Sequence, residues 1–452
     1  MANTRKLKFN LSERVADTLA SVVPNGSSLL LGLSGGVDSV VLLHLLAQLS
    51  PQFSWRLSAL HVHHGISPHA DSWAAFCAEL CSKLSIPFQV ERVDIKPLRA
   101  MGIEAAARQL RHAALARQSV DFIALAQHRD DQAETLLLQL LRGAGVRGAS
   151  AMPLLKSGQS TPSLIRPLLD IERSELEAYA SEHGLQWVED GSNEDTSYPR
   201  NFLRHRVLPE LEQRFPAYRS TLARSARHFA EAAELLDELA AQDGSSAIKG
   251  DCLSVESLRK QSSVRGKNLL RYFLALRCAP IPDSTRLAEM LRQLCVAGVG
   301  AQIRITWQDW QLRCYRGHAY AMPMTLPVTD FKVAWQGEAE ITLPASHGKL
   351  HFERVSGQGL SVAKLQQGVV TIRSRKGSES IQLDAARPRQ SMRNLLQQQG
   401  VPPWQRALLP LLYCGEEMVL VPGVATAAAY TAQAGENGVL VSWQNWTITP
   451  AP

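Results

Sequence analysis

Short apolar runs alternate with longer amphipathic segments through the first 150 residues of the chain. The apolar runs have the length of buried strands and lie at residues 29–33, 57–62, 88–93 and 121–127. The segments that follow them have helical periodicity and lie at residues 37–49, 72–84, 104–117 and 131–141. Strands that alternate with helices in this way predict an α/β fold with a doubly wound parallel sheet.

The pattern changes after residue 170. Residues 172–183 and the alanine-rich residues 216–241 are predicted to be helices, and Gly244 to Ser246 predict a break after the second of them. Residues 250–325 are predicted to be mostly helix and to end in a β-hairpin at 302–322, where apolar and polar residues alternate. The tail is predicted to consist of short strands with one helix at 391–399.

These changes in pattern predict three domains, in keeping with the length of 452 residues. We expect a Rossmann-like catalytic domain at residues 1–215. A mainly helical domain is expected at 216–330 and a small α+β domain at 331–452.

Composition and charge narrow the class of protein. The seven cysteines are scattered, and no apolar run has the length of a secretory signal or a membrane span. We therefore expect a reduced, cytoplasmic protein with no membrane partner. The formal net charge of +6 favours an anionic partner such as nucleic acid without identifying one.

A glycine-rich turn between the first strand and the first helix carries the strongest chemical signal. It consists of Ser34, Gly35, Gly36, Val37, Asp38 and Ser39. Backbone amides of such a turn, together with the helix N-terminus, can hold phosphate oxygens, and the two serines can add hydroxyl donors. Asp38 would repel phosphate unless a cation lies between them, which suggests Mg²⁺. The alternative is an ordinary strand-to-helix turn with a serine or aspartate cap.

The string from Ser34 to Ser39 resembles the PP-loop of the ATP-pyrophosphatase superfamily, whose members cleave ATP between its α and β phosphates. Further strings select one branch of that superfamily. They are HVHHGIS at 61–67, MGIEAAARQLRH at 101–112, AQHRDDQAETLLLQLLRGAG at 126–145, RPLLDIER at 166–173, EDGSNEDTSYPRNFLRHRVLPEL at 189–211, RSRKGSES at 373–380, MRNLLQQQGVPPWQRALLPLL at 392–412 and VLVPGVAT at 419–426. In this order they resemble the tRNA(Ile)-lysidine synthetase family in its long, three-domain form.

Two positions depart from the family pattern. Ile66 and Ser67 stand where the family often has Leu-Arg, and His112 stands where a tyrosine is common. The first departure removes a contact to nucleotide or phosphate. Neither departure affects the glycine-rich turn or the acidic residues after the fourth strand, so the expected reaction class is unchanged.

The resemblance implies a ligase that uses ATP and Mg²⁺. It would adenylate the C2 carbonyl oxygen of the wobble cytidine in tRNA(Ile) with a CAU anticodon. Free L-lysine would then displace AMP through its ε-amine to form lysidine. The sequence does not set the oligomeric state, and a homodimer is left open.

Acidic residues at the start of the fourth helix are the candidates for the chemistry of that reaction. Asp38 and Asp131 are the expected Mg²⁺ ligands, and Glu134 is the expected base and anchor for the lysine ammonium group. For Asp130 and Asp131 the alternative is a helix cap with a favourable charge–dipole interaction. For Glu134 the alternative is a solvated glutamate on a helix surface.

Two basic residues complete the expected catalytic site. Arg111 is placed ahead of Arg108 as a contact to ATP phosphates or to the cytidine, and the alternative is an intrahelical pair of Arg108 with Glu104. His128 is expected to line the ATP and adenylate site, although a histidine at a strand end is often only packed or capped.

Clusters of basic residues are the candidates for tRNA phosphate contacts. They are Arg200, Arg204 and Arg206, then Arg373, Arg375 and Lys376, and also Arg387, Arg389 and Arg393. Each of these residues alone could be a solvated surface charge, and only the clustering favours a role in binding.

The remaining histidines and cysteines favour structural roles, and other functions remain as rivals. His61 and His63 share a strand face but have no third ligand of suitable spacing, and Cys77 and Cys81 suit core packing.

Three other functions are the rivals of this interpretation. A PP-loop tRNA thiolase would need a cysteine persulfide or an iron–sulfur site, and the sequence has no Cys-x-x-Cys. An amidotransferase-like synthetase would need an ammonia source. A non-catalytic RNA-binding protein is disfavoured by the intact turn.

Overall fold

The computed structural model describes residues 11–157, 162–298, 301, 303–324, 329–344 and 347–444. Residues 1–10, where no signal sequence is expected, and residues 325–328 lie outside this part. The side chain of Glu104, the expected partner of Arg108, also lies outside it. The chain divides into two compact units, residues 1–235 and 236–452.

The first unit contains a mixed set of strands and helices. Its strands are β1 (Ser28–Gly32), β2 (Arg56–His63), β3 (Phe88–Arg92), β4 (Phe122–Ala124), β5 (Leu155–Lys156) and β6 (Ser163–Ile165). Its helices are α1 (Leu11–Ala20), α2 (Val37–Phe53), α3 (Ala70–Lys83), α4 (Ile103–Ala116), α5 (Arg129–Leu141), α6 (Val146–Ala149), α7 (Arg173–Glu182), α8 (Pro199–Phe202) and α9 (Leu208–Arg214). The α/β alternation predicted for the first 150 residues is confirmed.

The strands of the first unit form one sheet in the order β3-β2-β1-β4-β6-β5. Neighbours are parallel, except that β5 pairs antiparallel with β6 at one edge. Alternate residues of β1 enter different cores. Leu29 and Leu31 pack in one cluster with α2 and α3, whereas Leu30 packs in another with Leu115 of α4. Apolar side chains on both faces of a strand are what a doubly wound sheet requires, so the predicted fold class is confirmed.

Helix α10 (Tyr218–Ala247) extends past the position where a break was predicted. The prediction of a break at Gly244 to Ser246 is therefore wrong. A Cβ atom at Gly244 would lie 3.0 Å from Cδ1 of Ile248, so the glycine allows that side chain to pack against the helix. Glycine inside a helix costs about 1 kcal/mol relative to alanine, which tertiary packing can offset.

The second unit begins with helices packed on an antiparallel sheet. Its first elements are β7 (Ile248–Lys249), β8 (Cys252–Ser254), α11 (Val255–Lys260), α12 (Ser263–Leu276), α13 (Ser284–Val296), β9 (Arg304–Trp307), β10 (Trp310–Tyr315) and β11 (His318–Pro323). The sheet order is β7-β8-β11-β10-β9. The predicted hairpin is thus part of a larger sheet that the helices cover on one face.

The remaining elements alternate strands with short helices. They are β12 (Lys332–Ala334), β13 (Glu340–Thr342), β14 (Lys349–Ser356), β15 (Leu360–Ser361), α14 (Val362–Leu365), β16 (Val370–Arg373), β17 (Ser380–Ile381), β18 (Gln390–Ser391), α15 (Met392–Gln398), α16 (Pro403–Arg406), β19 (Leu411–Cys414), β20 (Glu417–Val421), β21 (Ala425–Thr426) and β22 (Asn437–Gln444). Two sheets, β12-β16-β19-β20-β21 and β13-β14-β22-β15, share one core. The helix predicted at 391–399 is confirmed as α15.

Candidate active site

The glycine-rich turn joins β1 to α2 at the carboxyl end of the sheet. Gly35 has φ of +91°, and a Cβ atom there would lie 2.8 Å from Cγ2 of Val188. The amide of Val188 donates to the carbonyl of Gly35 at 3.0 Å, so the chain near Val188 covers the turn closely. Only glycine combines this backbone conformation with this close approach.

Hydroxyl groups fix the conformation of the turn. Ser39 is buried, and its Oγ accepts from the amide of Gly35 at 3.2 Å and donates to the carbonyl of Gly36 at 2.9 Å. Ser34 Oγ lies 3.1 Å from Ser39 Oγ. Gly36 caps α2 without a side-chain hydrogen bond. The first-turn amides, including those of Val37 and Asp38, therefore have the orientation of an anion site.

His128 lies at the start of α5 and contacts three carboxylates. Its Nε2 is 3.6 Å from Asp38 and 3.5 Å from Asp131, and its Nδ1 is 3.6 Å from Asp130. The ring is only 2% exposed. Burial lowers the pKa of His128, but Asp130, Asp38 and Asp131 outweigh burial and raise the pKa to about 10. The three neighbouring carboxylates therefore favour the charged form of His128.

Asp131 and Glu134 form a buried ion-pair cluster with two arginines. Arg200 donates to Asp131 at 2.8 Å and to Glu134 at 2.7 Å. Arg204 donates to Glu134 at 2.7 Å and lies 3.4 Å from Asp131. Glu134 is 1% exposed, so the alternative of a solvated surface glutamate is wrong. Each arginine extends one nitrogen toward Asp131 and another toward Glu134, as geometry specific to a guanidinium allows.

The two arginines come from a helical segment with an unusual turn. Helix α8 continues into a π-helical turn, Leu203–Val207, and then into α9. Leu208 at the start of α9 packs with Ala133 of α5 and Tyr218. π-helical turns are often found at functional sites. Arg200 lies in α8 before this turn and Arg204 lies within it, so the turn sets the spacing of both arginines from Leu208.

Asp130 has different partners from Asp131. Its carboxylate accepts from the amide of Arg173 at 3.1 Å and from Nε of Arg219 at 2.5 Å. Burial raises the pKa of Asp130, but His128 and the Arg173 amide outweigh burial and hold it well below its usual range. Asp131 has the capping role foreseen for this pair, since it accepts from the backbone amide of His128 at 3.1 Å. Arg219 was not among the expected site residues, and nothing in its local sequence identifies it.

The structure places Arg111 on the exposed face of α4. Burial and the charge of Arg111 lower the pKa of His64 to about 4, so the guanidinium disfavours the charged form of that imidazole.

The other histidines of β2 have partners within the first unit. His61 bonds to the carbonyl of Leu33 at 2.9 Å, and His63 lies 3.3 Å from Asp71. Cys77 and Cys81 are fully buried, as core packing requires.

Most of the expected tRNA-binding arginines have carboxylate partners. Arg373 binds both oxygens of Glu416, at 2.9 and 3.1 Å, and Arg375 lies 3.4 Å from Glu379. The backbone amide of Lys376 also donates to Glu379. Arg389 pairs with Glu417 and Arg387 with Asp384. Arg206 and Arg393 are exposed.

The two candidate metal ligands differ in whether their carboxylate oxygens already accept hydrogen bonds. Oδ1 of Asp38 is buried and has no hydrogen-bond partner in the described part of the chain, which suits a cation ligand. The oxygens of Asp131 accept from Arg200 and from the His128 amide. Among the described residues, no group of three or more His, Cys, Asp or Glu side chains is arranged to hold a metal ion.

None of the described helices combines the length and the apolar character that crossing a membrane requires.

Family models match three parts of the chain. A PP-loop domain matches residues 7–211, a TilS substrate binding domain matches 253–320, and a TilS substrate C-terminal domain matches 370–443. The first match includes the glycine-rich turn, His128 and the ion-pair cluster.

Curated relatives match nearly the full length. A tRNA(Ile)-lysidine synthase of Nitrosomonas europaea is 47% identical over 448 residues, which cover 98% of this chain and 98% of the relative. A tRNA(Ile)-lysidine synthase of Azoarcus sp. is 39% identical over 430 residues, which cover 94% of this chain and 93% of the relative. The chain belongs to the tRNA(Ile)-lysidine synthase family.

Proposed function

We propose that this protein uses ATP to convert the wobble cytidine of tRNA(Ile) with a CAU anticodon into lysidine. The observation that carries the proposal is the buried acidic cluster beside an intact PP-loop, in a chain related over nearly its full length to a lysidine synthase. The modified base would pair with A, so the codon read would change from AUG to AUA.

The proposed reaction has two covalent steps. The C2 carbonyl oxygen of cytidine attacks the α-phosphorus of ATP, and pyrophosphate leaves. The neutral ε-amine of free L-lysine then attacks C2, the bond from C2 to the adenylate oxygen breaks, and AMP leaves with that oxygen. The amine nitrogen loses one proton as the new C–N bond forms, which requires a proton acceptor.

The PP-loop is proposed to bind ATP. Its first-turn amides lie at the N-terminus of α2, and the hydroxyl of Ser34 lies 3.1 Å from that of Ser39 in the same turn; pyrophosphate oxygens would bind there. The ring of His128, whose charged form the carboxylates favour, lies within 3.6 Å of both Asp38 and Asp131. Arg111 is proposed to contact ATP phosphates or the cytidine from α4.

Asp38 and Asp131 are proposed to hold Mg²⁺, since both carboxylates approach the same nitrogen of His128. A bound Mg²⁺ would offset the charge that develops on the leaving pyrophosphate. Asp38 has an unpartnered oxygen for this purpose, whereas Asp131 would have to exchange a contact with Arg200 or Arg204.

Glu134 is proposed to accept the proton and to anchor the ammonium group of lysine. In the free protein both of its oxygens accept from arginines. A lysine ammonium group would therefore compete with Arg200 and Arg204 for the same carboxylate. We propose that these arginines reach tRNA phosphate only when they leave Glu134, whereas Arg206, Arg373, Arg375 and Lys376 lie outside that cluster.

We propose that the protein acts in the cytoplasm as three functional domains, 1–215, 216–330 and 331–452, of which the second and third bind tRNA. The family models named for substrate binding support the assignment of those two regions. Sedimentation velocity tests the homodimer that the sequence leaves open.

The decisive experiment measures stable incorporation of radiolabelled lysine into unmodified isoleucine tRNA with a CAU anticodon. Purified protein, ATP and Mg²⁺ are supplied, and methionine tRNA and an Asp38→Ala variant are the controls. We expect incorporation into isoleucine tRNA alone, and none with the variant. AMP release that requires tRNA but incorporates no lysine would instead keep the adenylation step and reject lysine as the nucleophile.

A further inference from the structure

Two arginines lie directly opposite each other in the antiparallel sheet of the second unit. The register pairs Arg304 of β9 with Arg313 of β10, and Arg313 with Tyr320 of β11. Tyr320 is in turn opposite Cys252 of β8. One row across four strands therefore ends in two adjacent guanidinium groups on the same face.

The two faces of this sheet have different surroundings. Leu312 and Cys314 of β10 enter the core formed with α11, α12 and α13. The opposite face carries Cys252, Tyr320 and Met322, against which Tyr315 and Trp404 pack. Arg313 and Tyr315 alternate with the core residues, so they belong to this second face. The helices therefore leave the arginine-bearing face to other contacts.

Arg313 is held in a defined orientation. Its Nε donates to Oε1 of Gln311 at 2.9 Å, and its guanidinium carbon lies 5.2 Å from the ring centroid of Trp404. The described residues record no hydrogen bond or ion pair for its two terminal nitrogens. The ring of Trp404 supports the guanidinium and leaves those two nitrogens available to bind an oxyanion.

Two more arginines lie around Tyr315, which shares a face with Arg313, and they have no carboxylate partner among the described residues: the guanidinium carbons of Arg316 and Arg406 lie 5.6 and 6.0 Å from the ring centroid of Tyr315. Arg406 donates to Oη of Tyr315 at 3.0 Å and to the carbonyl of Val401 at 2.8 Å. Arg316 donates to the carbonyl of Gln397 at 2.5 Å. In the described part of the chain, neither these two nor Arg304 and Arg313 form an ion pair with Asp or Glu. We call these four residues the arginine face.

The arginine face costs the free protein stability. Like charges directly opposite in a sheet repel, and no carboxylate offsets them here. Burial and the charge of Arg304 both lower the pKa of Arg313. A bound polyanion would neutralise these adjacent positive charges and so relieve their repulsion. Guanidinium groups can form paired hydrogen bonds with the two free oxygens of a phosphodiester.

We propose that the arginine face binds backbone phosphates of the tRNA substrate. This inference rests on the proposed function and deepens it, because it assigns phosphate contacts to residues of the second unit that the sequence analysis did not select. The ring of Trp404 keeps Arg313 oriented. Contacts from these arginines to phosphates would contribute to the affinity for tRNA without recognising individual bases.

The test compares tRNA binding with protein stability. Filter binding of an unmodified isoleucine tRNA transcript is measured at several KCl concentrations for wild type and for the double variant Arg304→Gln/Arg313→Gln. We expect the dissociation constant to rise about tenfold and the slope of log affinity against log salt to lose about one to two units. The melting temperature should stay equal or rise, because repulsion is removed.

Two further variants control for net charge and for packing. Arg292→Gln removes one charge from an exposed arginine that pairs with Glu289, and it should leave binding within about twofold of wild type. The double variant Arg304→Lys/Arg313→Lys keeps the charge and should recover most of the salt slope. Unchanged binding in the glutamine variant would overturn the proposal, as would a loss of binding that follows a falling melting temperature.

The outcome is separable from that of the lysine incorporation test. If wild-type protein forms no lysidine but shows the salt slope that the glutamine variant loses, the phosphate site stands and the proposed reaction fails. If wild type forms lysidine, the variant should raise KM for tRNA about tenfold while KM for ATP changes less than about twofold. Equal KM values for tRNA would reject the arginine face.

Discussion

The ion-pair cluster and the arginine face use the same side chain in opposite ways. Arg200 and Arg204 each contact two buried carboxylates, whereas Arg304 and Arg313 face each other with none. Arg200 and Arg204 lie in one basic string of the sequence, whereas Arg304 and Arg313 lie in strands where apolar and polar residues alternate. The difference lies in what the fold brings to them, so the partners of an arginine indicate its role better than clustering along the chain does.

The largest effect is expected from Glu134→Gln. The change leaves Arg200 and Arg204 partly buried with reduced compensation, which should lower the free energy of unfolding by about 3 kcal/mol. Lysine incorporation should fall on the order of 100-fold, because the proposed base is lost. Chemical denaturation and single-turnover assays measure the two effects. Glu177→Gln, at an exposed pair with Arg173, is the matched control. Full activity of Glu134→Gln would remove this residue from the mechanism.

The next effect separates Arg204 from Arg206, two residues apart in one basic string. Arg204→Met should destabilise the protein by about 3 kcal/mol, because it leaves the buried carboxylate of Glu134 with one partner fewer. Arg206→Met removes an exposed charge and should leave the melting temperature near that of wild type while weakening tRNA binding about threefold. Thermal unfolding and filter binding measure both variants. Equal melting temperatures of the two variants would contradict the distinction between Arg204, which pairs with buried carboxylates, and the exposed Arg206.

A smaller effect is expected at the aromatic support of the arginine face. Trp404→Ala removes the ring under Arg313 and should weaken tRNA binding about threefold. Trp404→Phe should restore most of the affinity, because the indole nitrogen has no hydrogen-bond partner in the described residues. Trp335→Ala, at a tryptophan stacked on Phe352, controls for general destabilisation. Identical binding by the alanine and phenylalanine variants would mean that the ring does not act through Arg313.

The smallest effect is expected from a substitution that releases an arginine from its ion pair. Glu416→Gln frees Arg373 from an exposed bidentate pair and should strengthen tRNA binding by about twofold. Arg373→Gln in the same background should cancel that gain. Filter binding at low salt is the measurement, and a gain that persists without Arg373 would point to net charge alone.

Local patterns predicted the elements and the turn that need only neighbouring residues. Apolar runs identified the parallel strands, and the glycines identified the PP-loop, because backbone requirements are expressed within a few positions. The roles proposed for Asp38, Asp131, Glu134 and Arg111 remain predictions until they are measured.

The partners within the cluster could not be found in the same way. Glu134 meets Arg200 and Arg204 across 66 and 70 residues of chain, and Asp130 meets Arg219 across 89. A single sequence contains no signal for such pairing. The pairing of Arg304 with Arg313 is easier to predict from sequence, because the length of the hairpin turn sets the register of the two strands.

The π-helical turn at Leu203–Val207 gives this region an unusual response to insertions and deletions. A π turn contains one residue more than the α-helix that would replace it. Removing one residue there would restore a regular helix and rotate the following residues by about 100° relative to Arg200. Leu208 would then leave Ala133, or the arginine would leave Glu134. Chains of this family should therefore hold the length of this turn constant.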